Sequence, residues 1–279
     1  MTIQELLDLG RQQINSDSAR LDCELLLAFC LQRNRSYLYA WPEKEIGADT
    51  VAQFQSLLTR RHNGEPIAYL LGEKEFWSLT LSVDNSTLIP RPETERLVEV
   101  ALRLSDDRAR VLDLGTGTGA IALALAKERP RWRVLGLDLN PRAVELAAHN
   151  AQRNGITNAE FRQSDWFATL TESDRFELIV ANPPYIDSAD PHMQQGDVRF
   201  EPHSALVADN CGLADLATIA AAAPNFLASN GWLLMEHGFA QASAVRAELS
   251  TRGYADVTTW CDDGGRERIT GGLWKGATP

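Results

Sequence analysis

The chain has 279 residues, 44% of them hydrophobic and 23% charged, with 19 Gly and 12 Pro. That composition excludes collagen-like, low-complexity and disordered classes, and the length suits one large domain or two unequal ones. The formal charge of −11, divided as −3 over residues 1–80 and −8 over residues 81–279, argues against a basic face for nucleic acid.

The opening MTIQELLDLG is acidic and amphipathic, unlike a signal peptide, and no window approaches the roughly 18 uninterrupted apolar residues of a membrane span. Cys23, Cys30, Cys211 and Cys261 form no C-x-x-C pair and lie near no His cluster. This is the usage of a reduced compartment, so a cytoplasmic protein without disulfide, metal or membrane is expected.

The first eighty residues read as helices. Leu6, Leu7, Leu9 and Ile14 make one amphipathic pattern, and Asp17 or Ser18 is placed to cap a second helix through Leu21, Leu25, Leu26, Phe29 and Cys30. A third fits Thr50 to Arg61 and should stop at Asn63-Gly64, with Pro66 following. EKEFWSLTLSVD then alternates across Phe76, Leu79, Leu81 and Val83, a strand pattern with a polar turn near Ser78. The expected organisation is a helical domain over 1–72, a linking β-hairpin over 73–84 and an α/β domain over 85–279. Residues 93–104 return to helical spacing.

From Arg110 strand and helix alternate: RVLDLG, then GAIALALAKERP ended by Pro130, then RVLGLDL, then PRAVELAAHNAQRNG. Strands follow at NAEFRQ, FELIVAN and WLLMEHG, with the helix GLADLATIAAAAPNFLA before the last; ADVTTWC and RERITGGLWK are late strand candidates. Alternation of this kind predicts a doubly wound, Rossmann-like α/β sheet.

Asp113-Leu-Gly115-Thr116-Gly117-Thr118-Gly119 lies between the first of these strands and its helix. Glycines there allow tight turning and close ligand approach, and the helix N-terminus favours a negative group. Gly115, Gly117 and Ala120 also satisfy G-x-G-x-x-A, so at this loop a nicotinamide dinucleotide competes with S-adenosylmethionine. Asp138, ending the next strand, suits the two ribose hydroxyls of either ligand. Asn140 before Pro141 is the better helix cap. Asp113 looks inward, either holding the loop's own N–H groups or meeting the amino-acid end of a ligand.

FELIVA delivers Asn182-Pro183-Pro184-Tyr185 to the carboxyl edge of the sheet. Two prolines remove two backbone donors and keep their carbonyls, leaving a strand end rich in acceptors: the Asn182 side-chain oxygen and the Pro183 carbonyl. An –NH2 group has two hydrogens to offer such a site. An amide nitrogen is a poor nucleophile because its lone pair is delocalised, and accepting both N–H bonds would raise its electron density. Tyr185 is placed to press its ring on the planar group. Hydride transfer has no need of this tetrapeptide, so S-adenosylmethionine is the expected cofactor.

D-L-G-T-G-T-G followed by N-P-P-Y resembles the class I S-adenosylmethionine-dependent methyltransferases of planar amino nitrogens, a group spanning DNA, RNA and protein glutamine enzymes. Gly64-Glu-Pro-Ile-Ala-Tyr-Leu-Leu-Gly72, Glu75-Phe-Trp77 and Thr87-Leu-Ile-Pro-Arg-Pro-Glu-Thr-Glu95, with Gln163-Ser-Asp-Trp166, choose among them. Over essentially the whole chain they resemble the release factor glutamine methyltransferase (HemK/PrmC) family.

That resemblance implies methylation of the N5 amide of glutamine in the Gly-Gly-Gln loop of class I peptide release factors, with no nucleic acid or membrane as partner. It also implies cofactor contacts from Gly115, Thr116, Gly117, Thr118, Gly119, Asp138, Trp166 and Asn182, with Asp113 and Asp165 as further candidates. Asn182, Pro183, Pro184 and Tyr185 would hold the substrate amide, with Asn182, Pro183 and Tyr185 carrying catalysis. For Asp165 the readings are an acceptor for the adenine amino group or a helix cap, and for Trp166 an adenine wall or a core residue. Arg91 and Glu95 either line the substrate channel or form an internal ion pair. His237 belongs to no metal-ligand pattern and reads as structural.

Overall fold

The computed structural model describes residues 1–276 except 15, 17, 191, 192, 194 and 195. These residues fall into two compact units, one of Met1–Glu73 with the turn Gly196–Phe200, the other of Lys74–Met193 and Glu201 onward.

In the first unit α1 (Ile3–Gln13) opens with a capping box: the Thr2 hydroxyl accepts the Glu5 N–H, and the Glu5 carboxylate accepts the Thr2 N–H at 2.8 Å. Helix α2 (Ala19–Leu31) begins after Ser18, whose hydroxyl makes no cap bond, and Asp17 lies outside the described residues. Two short helices, α3 (Arg35–Ala40) and α5 (Ile67–Leu71), flank α4 (Ala48–His62). The last ends at Asn63-Gly64 as expected, with Gly64 at φ +96°. Leu6, Cys23, Leu26, Phe54 and Leu58 make the core of this unit. Arg61 bridges Asp22 and Asp197 at 2.8 Å each, fastening the turn Gly196–Phe200 to the helices.

The second unit starts with the hairpin β1 (Glu73–Phe76) and β2 (Leu79–Ser82). Trp77 and Ser78 between them are left-handed, at φ 50° and 56°, the two-residue geometry that matches strand twist. Phe76, Leu79 and Leu81 pack into the core of this unit beside α6 (Glu95–Leu104). The sheet follows with β3 (Arg110–Leu114), α7 (Ala120–Glu128), β4 (Arg133–Asp138), α8 (Pro141–Arg153), β5 (Ala159–Gln163) and β6 (Phe176–Ala181). Next come α9 (Ala214–Ala222), β7 (Leu227–Glu236), α10 (Ala242–Thr251), β8 (Ala255–Cys261) and β9 (Glu267–Trp274).

Seven strands lie in the order β5-β4-β3-β6-β7-β9-β8. The first five are parallel, and β9 runs antiparallel to both its neighbours. Alternate residues face opposite layers. Val111, Leu178 and Val180 pack beside α6 and α7, whereas Leu112, Leu114, Ile179 and Ala181 pack beside α9 and α10. Leaving β3, the chain winds outward through β4 and β5, then returns to the other side of β3 as β6. The switch point therefore lies between β3 and β6, paired in register at Leu114 and Ala181. In open α/β sheets, ligands bind outside the strand carboxyl ends at such a point.

Four elements differ from the sequence reading. Helices α3 and α5 are too short to show a period. Helix α10 buries only Ala242, Val245 and Leu249, a stripe thinned by alanine and serine. The segment expected as one helix over 212–228 is helical only to Ala222, passes through a 3-10 turn containing Pro224, and enters β7 at Leu227.

Candidate active site

A cavity of about 450 Å³ opens at the switch point, a size suited to a nucleoside-sized ligand. Its floor is the turn after β3, where Gly115, Gly117 and Gly119 adopt φ of 68°, 53° and 81°, a run only glycine takes without strain. Gly115, Thr116, Gly117 and Thr118 line the cavity. Gly119 sits behind them, where an added Cβ would meet Ala147, Leu123 and Phe161 at 3.1–3.3 Å.

Asp113 is wholly buried beneath the turn and is not among the residues lining the cavity. Its Oδ2 accepts the Thr116 hydroxyl at 2.6 Å and the Ala122 amide at 3.2 Å, and Oδ1 has no partner. Burial pushes this carboxyl up to about 7 against those two hydrogen bonds. Of the two sequence readings, the geometry matches the one in which Asp113 holds the loop.

Asp138 at the end of β4 faces the cavity. One oxygen accepts the Gly117 amide and the other the Asn140 amide, both at 2.9 Å, leaving lone pairs on each for a ligand. Burial raises its pKa, opposed by both amides. Asn140 caps α8 by accepting the Arg142 N–H at 3.0 Å, as the Pro141 position implied.

Asp165 and Trp166 line the same cavity. The Ser164 hydroxyl, which accepts the Thr169 N–H and donates to the Trp166 carbonyl, ties this turn and leaves Asp165 exposed. Trp166 holds a left-handed backbone at φ 44°, and its indole passes 3.6 Å from where a Cβ on Gly115 would stand.

Asn182 and Pro184, after β6, also line the cavity. The Asn182 Nδ2 donates to the Thr94 hydroxyl at 3.3 Å, and among the described residues no donor reaches its Oδ1. Pro183 is buried and Tyr185 half-buried; neither is among the lining residues. The Tyr185 hydroxyl donates to Glu236 Oε1 at 3.4 Å, and its pKa is raised by burial and by that carboxylate. The Tyr185 carbonyl accepts from Gln241 Nε2 at 3.0 Å.

Arg91 lines the cavity and pairs with the buried carboxylate of Glu201, not with Glu95. Glu201 also accepts the Ile89 N–H at 3.0 Å, so one carboxylate pins the Ile89–Arg91 strip. Glu95 stands elsewhere, accepting the Trp77 N–H at 2.9 Å. His237 is buried, between the Gly238 carbonyl and the Thr270 hydroxyl, as a structural residue would be.

The sequence reading missed the lining residues Ser86, Leu88, Leu139 and Ser204, and Glu236 behind Tyr185. Glu236 ends an apolar strand, WLLME, and a lone acid after four apolar residues was the available signal.

A Rossmann-like sheet with this left-handed glycine turn, a cavity-lining aspartate at the end of the next strand and an acceptor-rich Asn-Pro-Pro-Tyr defines an S-adenosylmethionine-dependent methyltransferase. The model of the family described as "Methyltransferase domain" matches residues 105–263, and that of the PrmC N-terminal domain matches residues 5–72. A release factor glutamine methyltransferase of Pseudomonas aeruginosa is 55% identical over 93% of this chain and 94% of its own length. Those of Vibrio cholerae and Escherichia coli K12 are 54% and 52% identical, over 95% and 93% of this chain and 93% and 94% of their own. Among solved structures, the catalytic domain of hMettl16 in complex with an RNA hairpin aligns at a TM-score of 0.57 and 15% identity, over 86% of this chain and 85% of that one. A methyltransferase from Pyrococcus furiosus aligns at 0.53 and 17%, over 71% and 89%; both show the fold alone. The chain belongs to the release factor glutamine methyltransferase family.

Proposed function

We propose that this chain transfers a methyl group from S-adenosylmethionine to the side-chain amide nitrogen of the glutamine in the Gly-Gly-Gln loop of class I peptide release factors. The observation that carries this reading is that Asn182, whose Oδ1 no donor reaches among the described residues, lines the same cavity as the glycine turn. Family membership supplies the substrate class.

The cavity fits the cofactor on its own geometry. Asp138 has unused lone pairs for two ribose hydroxyls, and the Trp166 indole and Leu139 offer apolar surface to adenine. The turn Gly115 to Gly119 gives close backbone approach, and Asp165 is exposed at the rim for a polar group of the base. When bound, the cofactor supplies a sulfonium-activated methyl, so the protein's task is alignment and electrostatic preorganisation. Asn182 Oδ1 and the Pro183 carbonyl accept the two amide hydrogens, aiming the nitrogen lone pair out of the amide plane. Tyr185 and Pro184 bound the planar group, and Arg91 borders its entry. Asp113 acts through the loop it holds.

The helical unit is assigned to docking the release factor, because one small –NH2 group orients a mobile loop poorly by itself. Nucleic acid and membrane are not substrates in this reading, and the cytoplasm, where release factors work, is its place.

Labelled S-adenosylmethionine, offered with a release factor, with nucleic acid, or with a release factor lacking the Gly-Gly-Gln glutamine, tests the reading. Label should enter only the intact release factor, on that glutamine. Asn182→Ala should cut the rate about 10²–10³-fold, the loss typical of one preorganised polar contact. Label in nucleic acid, or near-normal turnover by the variant, would overturn the assignment.

A further inference from the structure

Gln241 is not among the residues lining the cavity, and the reaction above gives it no part. It is the half-buried residue immediately before α10. Its side-chain Oε1 accepts the Gly238 N–H at 2.8 Å. Its Nε2 donates to two carbonyls, those of Tyr185 and Cys211, each at 3.0 Å. Three stretches of chain therefore meet on one amide: the end of Asn-Pro-Pro-Tyr, the turn at 210–212 and the loop after β7.

The chemistry of the tetrapeptide calls for such a donor. The ladder of β6 stops at Ala181, and pairing resumes at Ile186, whose N–H donates to the Leu206 carbonyl at 2.9 Å. Between those points Pro183 and Pro184 have no N–H with which to fasten the backbone. What holds this stretch must come from side chains or from donors that reach its carbonyls. The Pro183 carbonyl is reserved for the substrate in the reading above, and the Tyr185 carbonyl takes its donor from Gln241. The neighbouring turn is shaped for the same approach. Asn210, Cys211 and Gly212 are left-handed, at φ 54°, 57° and 78°, and a Cβ on Gly212 would collide with the Tyr185 carbonyl. Two successive non-glycine residues keep that conformation only where neighbouring contacts fix them, and the bond from Gln241 to Cys211 is one such contact.

We propose that Gln241 is a positioning residue for methyl transfer, which by donating to the Tyr185 carbonyl fixes the far end of the acceptor tetrapeptide. The inference rests on the reading of Asn-Pro-Pro-Tyr as the holder of the substrate amide. Strand β6 fixes the Asn182 end, and Gln241 with the Ile186 pairing fixes the other. A segment held at both ends aims a planar group; released at one end it swings, and misplacement by about 1 Å can cost roughly 10²-fold in rate. The task needs a neutral amide. A carboxylate at 241 still accepts from Gly238, but it has no hydrogen for either carbonyl and sets a negative oxygen against both.

The test uses full-length protein with a release factor and S-adenosylmethionine. Gln241→Met removes all three bonds at similar volume, and Gln241→Glu keeps the shape and the Gly238 bond. Both should bind S-adenosylmethionine as the wild type does, because position 241 does not line the cavity. Both should lower kcat about ten- to a hundredfold, with the KM for the release factor changed far less. A kcat of Gln241→Glu within twofold of wild type, or cofactor affinity falling as far as kcat, would overturn the anchor. Incorporated 3-fluorotyrosine supplies a readout independent of turnover, with the Tyr185 signal identified by its loss in Tyr185→Phe. That 19F signal should move or broaden in both variants of Gln241, and an unmoved signal in both overturns the anchor. In the unsubstituted protein, the side-chain amide hydrogens of Gln241 should exchange with solvent more slowly than those of a free glutamine. Exchange at the free rate overturns the anchor even where a variant fails to fold. Failure of the wild type to methylate the glutamine would instead reject the functional reading, with the fluorine signal and the amide exchange still deciding the anchor.

Discussion

Asp138 is a half-buried carboxylate lining the cavity, and the backbone already holds both of its oxygens. Each Asp138 oxygen receives a backbone N–H, from Gly117 on one side and Asn140 on the other. An asparagine there must turn its –NH2 toward one of those donors, so the amide does not replace the carboxylate. Asp138→Ala should weaken S-adenosylmethionine binding about 10- to 150-fold, the equivalent of roughly 1.5–3 kcal/mol for a hydrogen bond to a charged group. Asp138→Asn should lose at least as much, and calorimetry on both variants decides it. An asparagine variant with wild-type affinity would show that the two amides do not fix this site. Its pKa is raised by burial, and the ionised form is the acceptor. Cofactor affinity is therefore held above that raised pKa and lost as pH falls through it, sooner than a free aspartate would dictate. The place of Asp138 on the cavity was legible in the sequence, because it ends a strand and Asn140 before Pro141 takes the helix cap. Glu236 was not, because its partner Tyr185 lies 51 positions away, beyond the end of a different strand.

At the level of elements, the loops that carry the site are held by side chains from neighbouring helices. Asn150 of α8 is fully buried; its Oδ1 accepts the Ser82 N–H at 2.7 Å, and Nδ2 donates to the carbonyls of Ser82 and Thr118 at 3.0 and 2.9 Å. One amide thus fastens the hairpin β1–β2 and the glycine turn to the same helix. Asn150→Leu would leave three backbone groups unpaired, the Thr118 carbonyl buried and the two of Ser82 half-buried, at about 1–3 kcal/mol for each that finds no water. Its melting temperature should fall by several degrees, about 2–4 °C for each kcal/mol in a chain of this size. Cofactor affinity should fall with it, because Thr118 is released; an unchanged melting temperature would show that the clamp contributes nothing. The sequence carried the elements of the sheet because apolar runs such as RVLDL and FELIVA are bounded by glycine or proline. It also carried the Asn140 cap and the turn at Ser78. It did not carry α10, whose buried stripe is three small or medium residues, nor this clamp, since an asparagine inside PRAVELAAHNAQR looks like any solvated helix position.

At the scale of the whole chain, each of the two units has hydrophobic cores of its own. The helical unit buries its own cluster around Leu6, Leu26, Phe54 and Leu58, and the sheet unit has separate clusters on its two faces. Every residue lining the candidate cavity belongs to the sheet unit. The sequence pointed to this arrangement through the change from helical to alternating periodicity near Glu73, with all cofactor and acceptor motifs downstream. It held no sign that Gly196–Phe200 would group with residues from the first 73. That turn is held by the Asp197–Arg61 pair, and the chain continues directly into Glu201, whose carboxylate fixes Arg91 and Ile89 at the cavity. Deleting residues 1–72 therefore has two expected effects of different size. Cofactor binding, which we propose depends on the glycine turn and Asp138, should persist in large part once circular dichroism shows the sheet unit folded. Methylation of an intact release factor should fall much further than any residual methylation of a short Gly-Gly-Gln peptide, since only the former draws on docking to the helical unit. Arg61→Ala in the full chain separates the second effect, because it keeps the helices and frees Asp197. A modest loss on both substrates alike is expected there, as the Glu201 end of the segment loosens. If truncation lowers both substrates in equal proportion, with the protein verified as folded, the helical unit is not a recognition element. Its place would then be to brace the Asp197 turn, and Arg61→Ala would reproduce the whole of the truncation's loss.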